Sequence, residues 1–327
     1  MRYFFTSFLI SIIGLFALFW FTKSVEALYL GLILAVLEVS LSFDNAVVNA
    51  KILQTMPKIW QKRFLFWGIL IAVFGMRLVF PALLVYITTP LSLNQVWLLA
   101  LYSPEKYQAA LAIGHPLISA FGGGFLLMVF LQFFFDAKRE IYWLRWLESN
   151  RLVLFLADLR LSKLIIAILV AAILFALEHK QQIVRAYLLG VLVHLALTIL
   201  TILVNEKSKN LPKVLSAGLV GFLYLEVLDS SFSFDGVIGA FAITSNIWII
   251  MLGLGIGAFF VRSMTLYMVD KRALQRFVYL DHGAHYAIGF LAVVMLVQIF
   301  QHVPEILTGT VGLLVIILAF VFSLLRA

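Results

Sequence analysis

Apolar stretches of about 20 residues recur along this chain, and each is long enough to cross a bilayer as a helix. About ten spans are expected by this length criterion: Tyr3–Thr22, Ala27–Asn49, Phe64–Thr88, Pro116–Asp136, Leu161–Leu177, Ile183–Val204, Val214–Ile243, Ile247–Val269, Leu280–Phe300 and Ile306–Leu325. The expected fold is therefore an all-α polytopic membrane protein, a single transmembrane domain over residues 1–327. No polar stretch exceeds a loop, and charged residues make up only 12% of the chain, roughly half the share in a soluble domain. The first stretch is too long for a signal-peptide core and lacks a small-residue cleavage site, so it reads as a retained helix.

The connections alternate in charge. Lys51, Lys58, Lys62 and Arg63 follow the second span, and Lys138, Arg139, Arg145, Arg151, Arg160 and Lys163 lie around the connection after the fourth. Lys207, Lys209 and Lys213 lie between the sixth and seventh, and Lys271, Arg272 and Arg276 between the eighth and ninth. With ten spans all of these fall on one side, which the positive-inside rule makes cytoplasmic, together with both termini. A multi-pass protein of the cell inner (plasma) membrane is expected, and the net charge of +8 reflects those loops rather than nucleic-acid binding. The stretch 137–161, with Tyr142, Trp143 and Trp146 among its charges, reads as an amphipathic interfacial connector. The absence of cysteine excludes disulfides, thiolate metal sites and cysteine nucleophiles.

One motif occurs twice. The second span holds Glu38-Val-Ser-Leu-Ser-Phe-Asp44-Asn45 and the seventh Asp229-Ser-Ser-Phe-Ser-Phe-Asp235-Gly236. The helix after each copy carries an intramembrane arginine, Arg77 or Arg262, and the next contains Gly-Phe-Leu, at Gly124 and Gly289. Spans two to four, about 27–136, thus correspond to spans seven to nine, about 214–300. The offset is odd, so the second three-helix unit enters the bilayer inverted, the plan of many secondary transporters, whose site lies at the midplane between repeats.

A charge at bilayer depth is expensive, and Glu38, Asp44, Glu226, Asp229 and Asp235 all lie there. Either they pair with Arg77 and Arg262 to hold helices together, or they gather round a cation; five acids against two arginines leave a negative excess. At about 100° per residue, Glu38, Ser42, Asn45 and Asn49 form one polar stripe. Asp44 points about 120° away from it, so the acids converge only where the helix unwinds. Asp44-Asn45 and Asp235-Gly236 favour such a break, which would free carbonyl oxygens for an ion. Carboxylates, Asn45 and carbonyls make an all-oxygen set, suited to magnesium, calcium or manganese rather than copper or zinc. Protons compete for the same oxygens, so exchange needs no separate relay. His282 and His285 open the ninth span; interfacial hydrogen bonding competes with a ligand role for His285. Gly122-Gly123-Gly124 follows no strand and reads as a close-packing site.

The two acidic copies and the intramembrane arginines resemble the TerC family of integral membrane proteins. The tract Leu280-Asp-His-Gly-Ala-His-Tyr-Ala-Ile-Gly289 is similar to its bacterial branch carried as a domain of unknown function. The resemblance implies a relation to manganese exporters and implies Glu38, Asp44, Asp229 and Asp235 as metal ligands. Asp229 replaces the glutamate that would make the copies identical.

The expected function is a secondary transporter exporting a divalent cation, manganese first, by proton exchange. The ion is substrate, with no prosthetic group, and the other partners are protons and the lipid bilayer. The alternatives are an organic-cation or amino-acid transporter, a non-transporting scaffold whose acids pair only with arginines, and an intramembrane aspartyl protease using Asp44 and Asp235.

Overall fold

The computed structural model describes residues 3–136, 139–159, 161–178, 180–207, 213–301 and 303–326, all of whose regular elements are helical. They begin with α1 (Phe5–Thr22), α2 (Val25–Leu41), α3 (Phe43–Thr55) and α4 (Lys58–Leu70). A π-helical stretch, Ile71–Val79, leads into α5 (Phe80–Thr88), followed by α6 (Leu93–Tyr102) and α7 (Pro104–Phe134). Two short helices, α8 (Arg145–Glu148) and α9 (Arg151–Asp158), precede α10 (Ser162–Glu178) and α11 (Gln181–Lys207). The chain ends with α12 (Lys213–Ile243), α13 (Ile247–Asp270), α14 (Ala273–Arg276), α15 (Leu280–Gln298) and α16 (Glu305–Arg326). Arg2, Lys138, Arg160 and Lys209 of the basic segments lie outside the described residues.

Among the described residues six helices are long and apolar enough to cross a bilayer, and eight spans result if each of two bent pairs is one. This is a multi-pass helical membrane protein. Two of the expected spans are not in that number. The seventh and tenth correspond to α12 and α16, helices of 31 and 22 residues whose side chains lie in part outside the described residues on which that number is counted. The connector after α7 holds two short helices rather than one. Asn150 leaves the helical region (φ −65°, ψ 141°) and its side chain caps α9 by accepting from Leu152 N–H.

Two compact units emerge, Met1–His115 with Val204–Ala273, and Pro116–Leu203 with Leu274–Ala327. In the first, α13 lies against α2 along a glycine seam. A Cβ on Gly253 would stand 2.8 Å from Leu34 Cβ, and one on Gly257 would stand 2.5 Å from Glu38 Cβ and 2.6 Å from the Ala35 carbonyl. Their i, i+4 spacing is the small-residue pattern that lets membrane helices approach closely where no hydrophobic drive exists. α1 joins α13 through Ser7, whose hydroxyl lies 2.7 Å from that of Ser263 and donates to the Phe259 carbonyl at 2.9 Å. Leu53, Met56, Trp60, Phe64 and Leu225 form a buried cluster joining α3, α4 and α12.

The second unit uses glycine in the same way. A Cβ on Gly289 of α15 would meet the Phe130 ring at 2.6 Å, and one on Gly283 would meet Ala319 of α16 at 2.5 Å. The triple-glycine run packs as expected, with Gly123 against Leu296 and Gly124 against the Tyr187 carbonyl of α11.

Gly253→Leu should separate α13 from α2 and cost about 1–3 kcal/mol, the usual penalty of overpacking. Gly255→Ala, whose Cβ would meet only Val73 at 3.3 Å, should cost much less. Unfolding of both variants in detergent, followed by circular dichroism, checks the difference.

Candidate cation site

The first acidic motif lies at a break. α2 ends at Leu41 and α3 begins at Phe43, with 53° between them. Ser42 turns the chain (φ −105°, ψ 15°) yet keeps its backbone bonds, N–H to Glu38 O and carbonyl from Ala46 N–H, both 3.0 Å. Both backbone groups of Ser42 itself thus stay bonded through the bend, as a lipid environment favours. Asp44 falls in the first turn of α3, where a carboxylate offsets the positive end of the helix dipole. It accepts Asn45 N–H at 2.9 Å.

The second motif has no such break. α12 runs as one helix through Asp229 and Gly236, so the unwinding expected at Asp235-Gly236 does not occur. A continuous helix keeps its backbone bonds internal, and the glycine serves proximity instead. A Cβ on Gly236 would lie 3.4 Å from Glu38 Oε2.

The polar stripe Glu38, Ser42, Asn45 and Asn49 lines a cavity of about 20 Å³ with Arg77 and Met76 of the π-helical stretch, Asp229 and Ser233 of α12, and Arg262 of α13. That volume holds roughly one water-sized body. Each arginine closes on a motif acid. Arg77 Nη2 lies 2.6 Å from Glu38 Oε1, which also accepts from the Ser42 hydroxyl at 3.0 Å. Arg77 Nη1 donates to the Ala72 carbonyl within the same π-helical stretch, a local widening of the kind that recurs at functional sites.

Arg262 Nη2 lies 2.6 Å from Asp229 Oδ2 and also donates to Gly68 O at 2.9 Å, while Nη1 donates to Phe64 O at 3.3 Å. Its guanidinium covers the Phe64 ring at 3.8 Å, a cation–π contact. The other Asp229 oxygen accepts the side-chain amides of Asn45 at 2.5 Å and Asn49 at 2.9 Å. Those donations turn the amide oxygens elsewhere. Among the described residues Asn45 Oδ1, Asn49 Oδ1 and Ser233 Oγ are buried without a hydrogen-bond partner.

Glu38, Asn45, Asp229, Arg77 and Arg262 thus come together around one cavity. Asp44 is buried but does not line it, and Glu226 stands behind Arg262, 3.8 Å from Nη2. Asp235 has a helical backbone, and its side chain lies outside the described residues. His285 belongs to the second unit, stacked on Phe133 at 4.0 Å with Nδ1 2.8 Å from the Asp281 carbonyl. Among the described residues no three acidic or histidine side chains are placed to hold a metal together.

A buried acid in the second unit escaped sequence reading. Glu148 accepts from the Tyr286 hydroxyl at 2.7 Å and Trp143 N–H at 3.0 Å, with Arg139 at 3.8 Å and His282 at 3.9 Å. Its setting in a charged, tryptophan-rich connector marks it as a surface residue, and only the fold around it shows otherwise.

A family profile matches residues 43–327. The chain belongs to the family described as protein of unknown function (DUF475). The matched segment takes in Asp44, Asn45, Arg77, Asp229 and Arg262 and starts past Glu38. No curated protein and no solved structure matches the chain.

Glu38→Gln removes the counter-charge that the buried Arg77 guanidinium has among the described residues and should cost about 3–5 kcal/mol. Adding Arg77→Met should recover a large part of that loss. A double-mutant cycle on thermal unfolding in detergent measures the coupling.

Proposed function

We propose that the protein is a secondary transporter that exports a divalent metal cation, manganese first, in exchange for protons across the plasma membrane, and that it is not an enzyme. The observation that carries this reading is the set of buried oxygens around a one-ion cavity. Asn45 Oδ1, Asn49 Oδ1 and Ser233 Oγ have no described hydrogen-bond donor, and the carboxylates of Glu38 and Asp229 flank them. Hard divalent cations take such oxygen ligands. A cavity of about 20 Å³ suits a dehydrated ion better than an amino acid or organic cation.

The guanidinium groups occupy the carboxylates that a cation would use. Each also holds backbone carbonyls, Ala72 for Arg77 and Phe64 with Gly68 for Arg262. A cation can therefore displace them from the acids while those anchors remain. Protons returning to the same carboxylates would release the ion, which couples the two without a separate relay. Asp235, on the helix that carries Asp229, is the further ligand in this reading, and Asp44 steadies the bend that presents Asn45. The resemblance of the motif pair to the TerC family supports a metal cargo and places manganese ahead of magnesium.

Radiolabelled manganese uptake into inverted membrane vesicles under an imposed pH gradient tests the proposal. Asp229→Asn and Asp235→Asn should each lower uptake at least about tenfold, the effect of roughly 1.4 kcal/mol, and Asp44→Asn should also impair it. Folded wild-type protein that moves no divalent ion would leave the ion pairs as a scaffold.

A further inference from the structure

The second ion pair has a spare partner. Glu226 precedes Asp229 by one turn of α12, so the two carboxylates are neighbours on the helix surface. Both Glu226 oxygens are buried, and among the described residues neither has a hydrogen-bond partner. A buried carboxylate without hydrogen bonds is costly, and the arginine beside it makes its short contact elsewhere. The same nitrogen, Arg262 Nη2, stands 2.6 Å from Asp229 Oδ2 and 3.8 Å from Glu226 Oε1.

The guanidinium is meanwhile held on α4 by the Phe64 and Gly68 carbonyls and the Phe64 ring. Gly68 makes this crowding possible. A Cβ there would collide with Arg262 Nη1 and stand 2.8 Å from Glu226 Oε1. One backbone position thus faces the arginine and the idle acid together.

We propose that Glu226 is the alternate seat for Arg262, a positioning residue that receives the guanidinium when Asp229 engages a cation. The inference rests on the transport reading above. A divalent ion at Asp229 repels the guanidinium, and a shift of roughly one ångström brings Nη2 to charge-assisted hydrogen-bond distance of Glu226. Asp229 keeps its amide donors Asn45 and Asn49, and Arg262 keeps a counter-charge. Arg262 therefore faces a carboxylate in both arrangements, and its guanidinium is never a bare charge at bilayer depth, where it would be expensive.

Manganese binding to purified protein in detergent, followed by loss of the free-ion paramagnetic resonance signal, separates binding from transport. Glu226→Gln should weaken binding about tenfold, and Glu226→Asp, which keeps the charge, should weaken it less. In an Arg262→Gln background the same Glu226→Gln change should shift affinity less than about twofold. An equal loss with and without Arg262, or an aspartate variant worse than the near-isosteric glutamine, would overturn the seat. If the Arg262→Gln background does not survive purification, the order of the Asp and Gln variants still decides. Wild-type binding with unchanged Glu226 variants removes this inference alone, whereas wild-type protein that neither binds nor transports a divalent ion removes the transport reading with it.

Discussion

A guanidinium inside a bilayer has to end against a carboxylate, and the contact between Arg262 and Asp229 is where the polar interior of the first unit is tied together. Four elements meet there. α13 supplies the arginine, α12 the acid, α4 the carbonyls of Phe64 and Gly68, and α3 the amides of Asn45 and Asn49. A second pair, Arg77 with Glu38, ties the π-helical stretch to α2. The glycine seam between α2 and α13 brings Glu38 close to α13, because a side chain on Gly257 would occupy the space of Glu38 Cβ.

This is an expensive way to hold helices together. Desolvating an ion pair consumes much of what its Coulomb attraction returns, and apolar replacements of buried pairs are often neutral or stabilising. The glycine contacts elsewhere in the chain pack helices with no such penalty. Two buried arginines set against acids, around a small space edged by undonated amide and hydroxyl oxygens, make better sense as a device that can change partners. An ion exchanger needs carboxylates that are never left bare, and arginines anchored on backbone carbonyls can serve both arrangements.

Part of the site was legible in the residues. The helical period alone put Glu38, Ser42, Asn45 and Asn49 on one stripe, and that stripe lines the cavity. It also turned Asp44 away from the others, and Asp44 does not line it. The motif pair pointed to breaks in both copies, yet only the first breaks. Ser42 can bend α2 into α3 because its backbone bonds survive the turn, whereas α12 runs on through Gly236 and uses that glycine to admit Glu38. The π-helical stretch around Arg77 has no sequence signature, since its apolar run reads as an ordinary span. Glu148 likewise reads as one more charge in an amphipathic connector, and its burial depends on Tyr286 arriving from α15 and on the connector folding Trp143 N–H back onto it.

The apolar lengths, the doubled motif and the arginines by themselves determined that this is a helical membrane protein with acids at bilayer depth and which side chains share a helix face. These are local properties, set by the hydrophobic thickness and the period of a helix. Which acid meets which arginine, that Asn45 and Asn49 both serve Asp229, and that Glu226 is left beside Arg262 without a hydrogen bond among the described residues were decided only by tertiary structure. Such pairings depend on ångström-scale distances between helices that are far apart in sequence, and those distances follow from how closely the glycine-lined faces can approach.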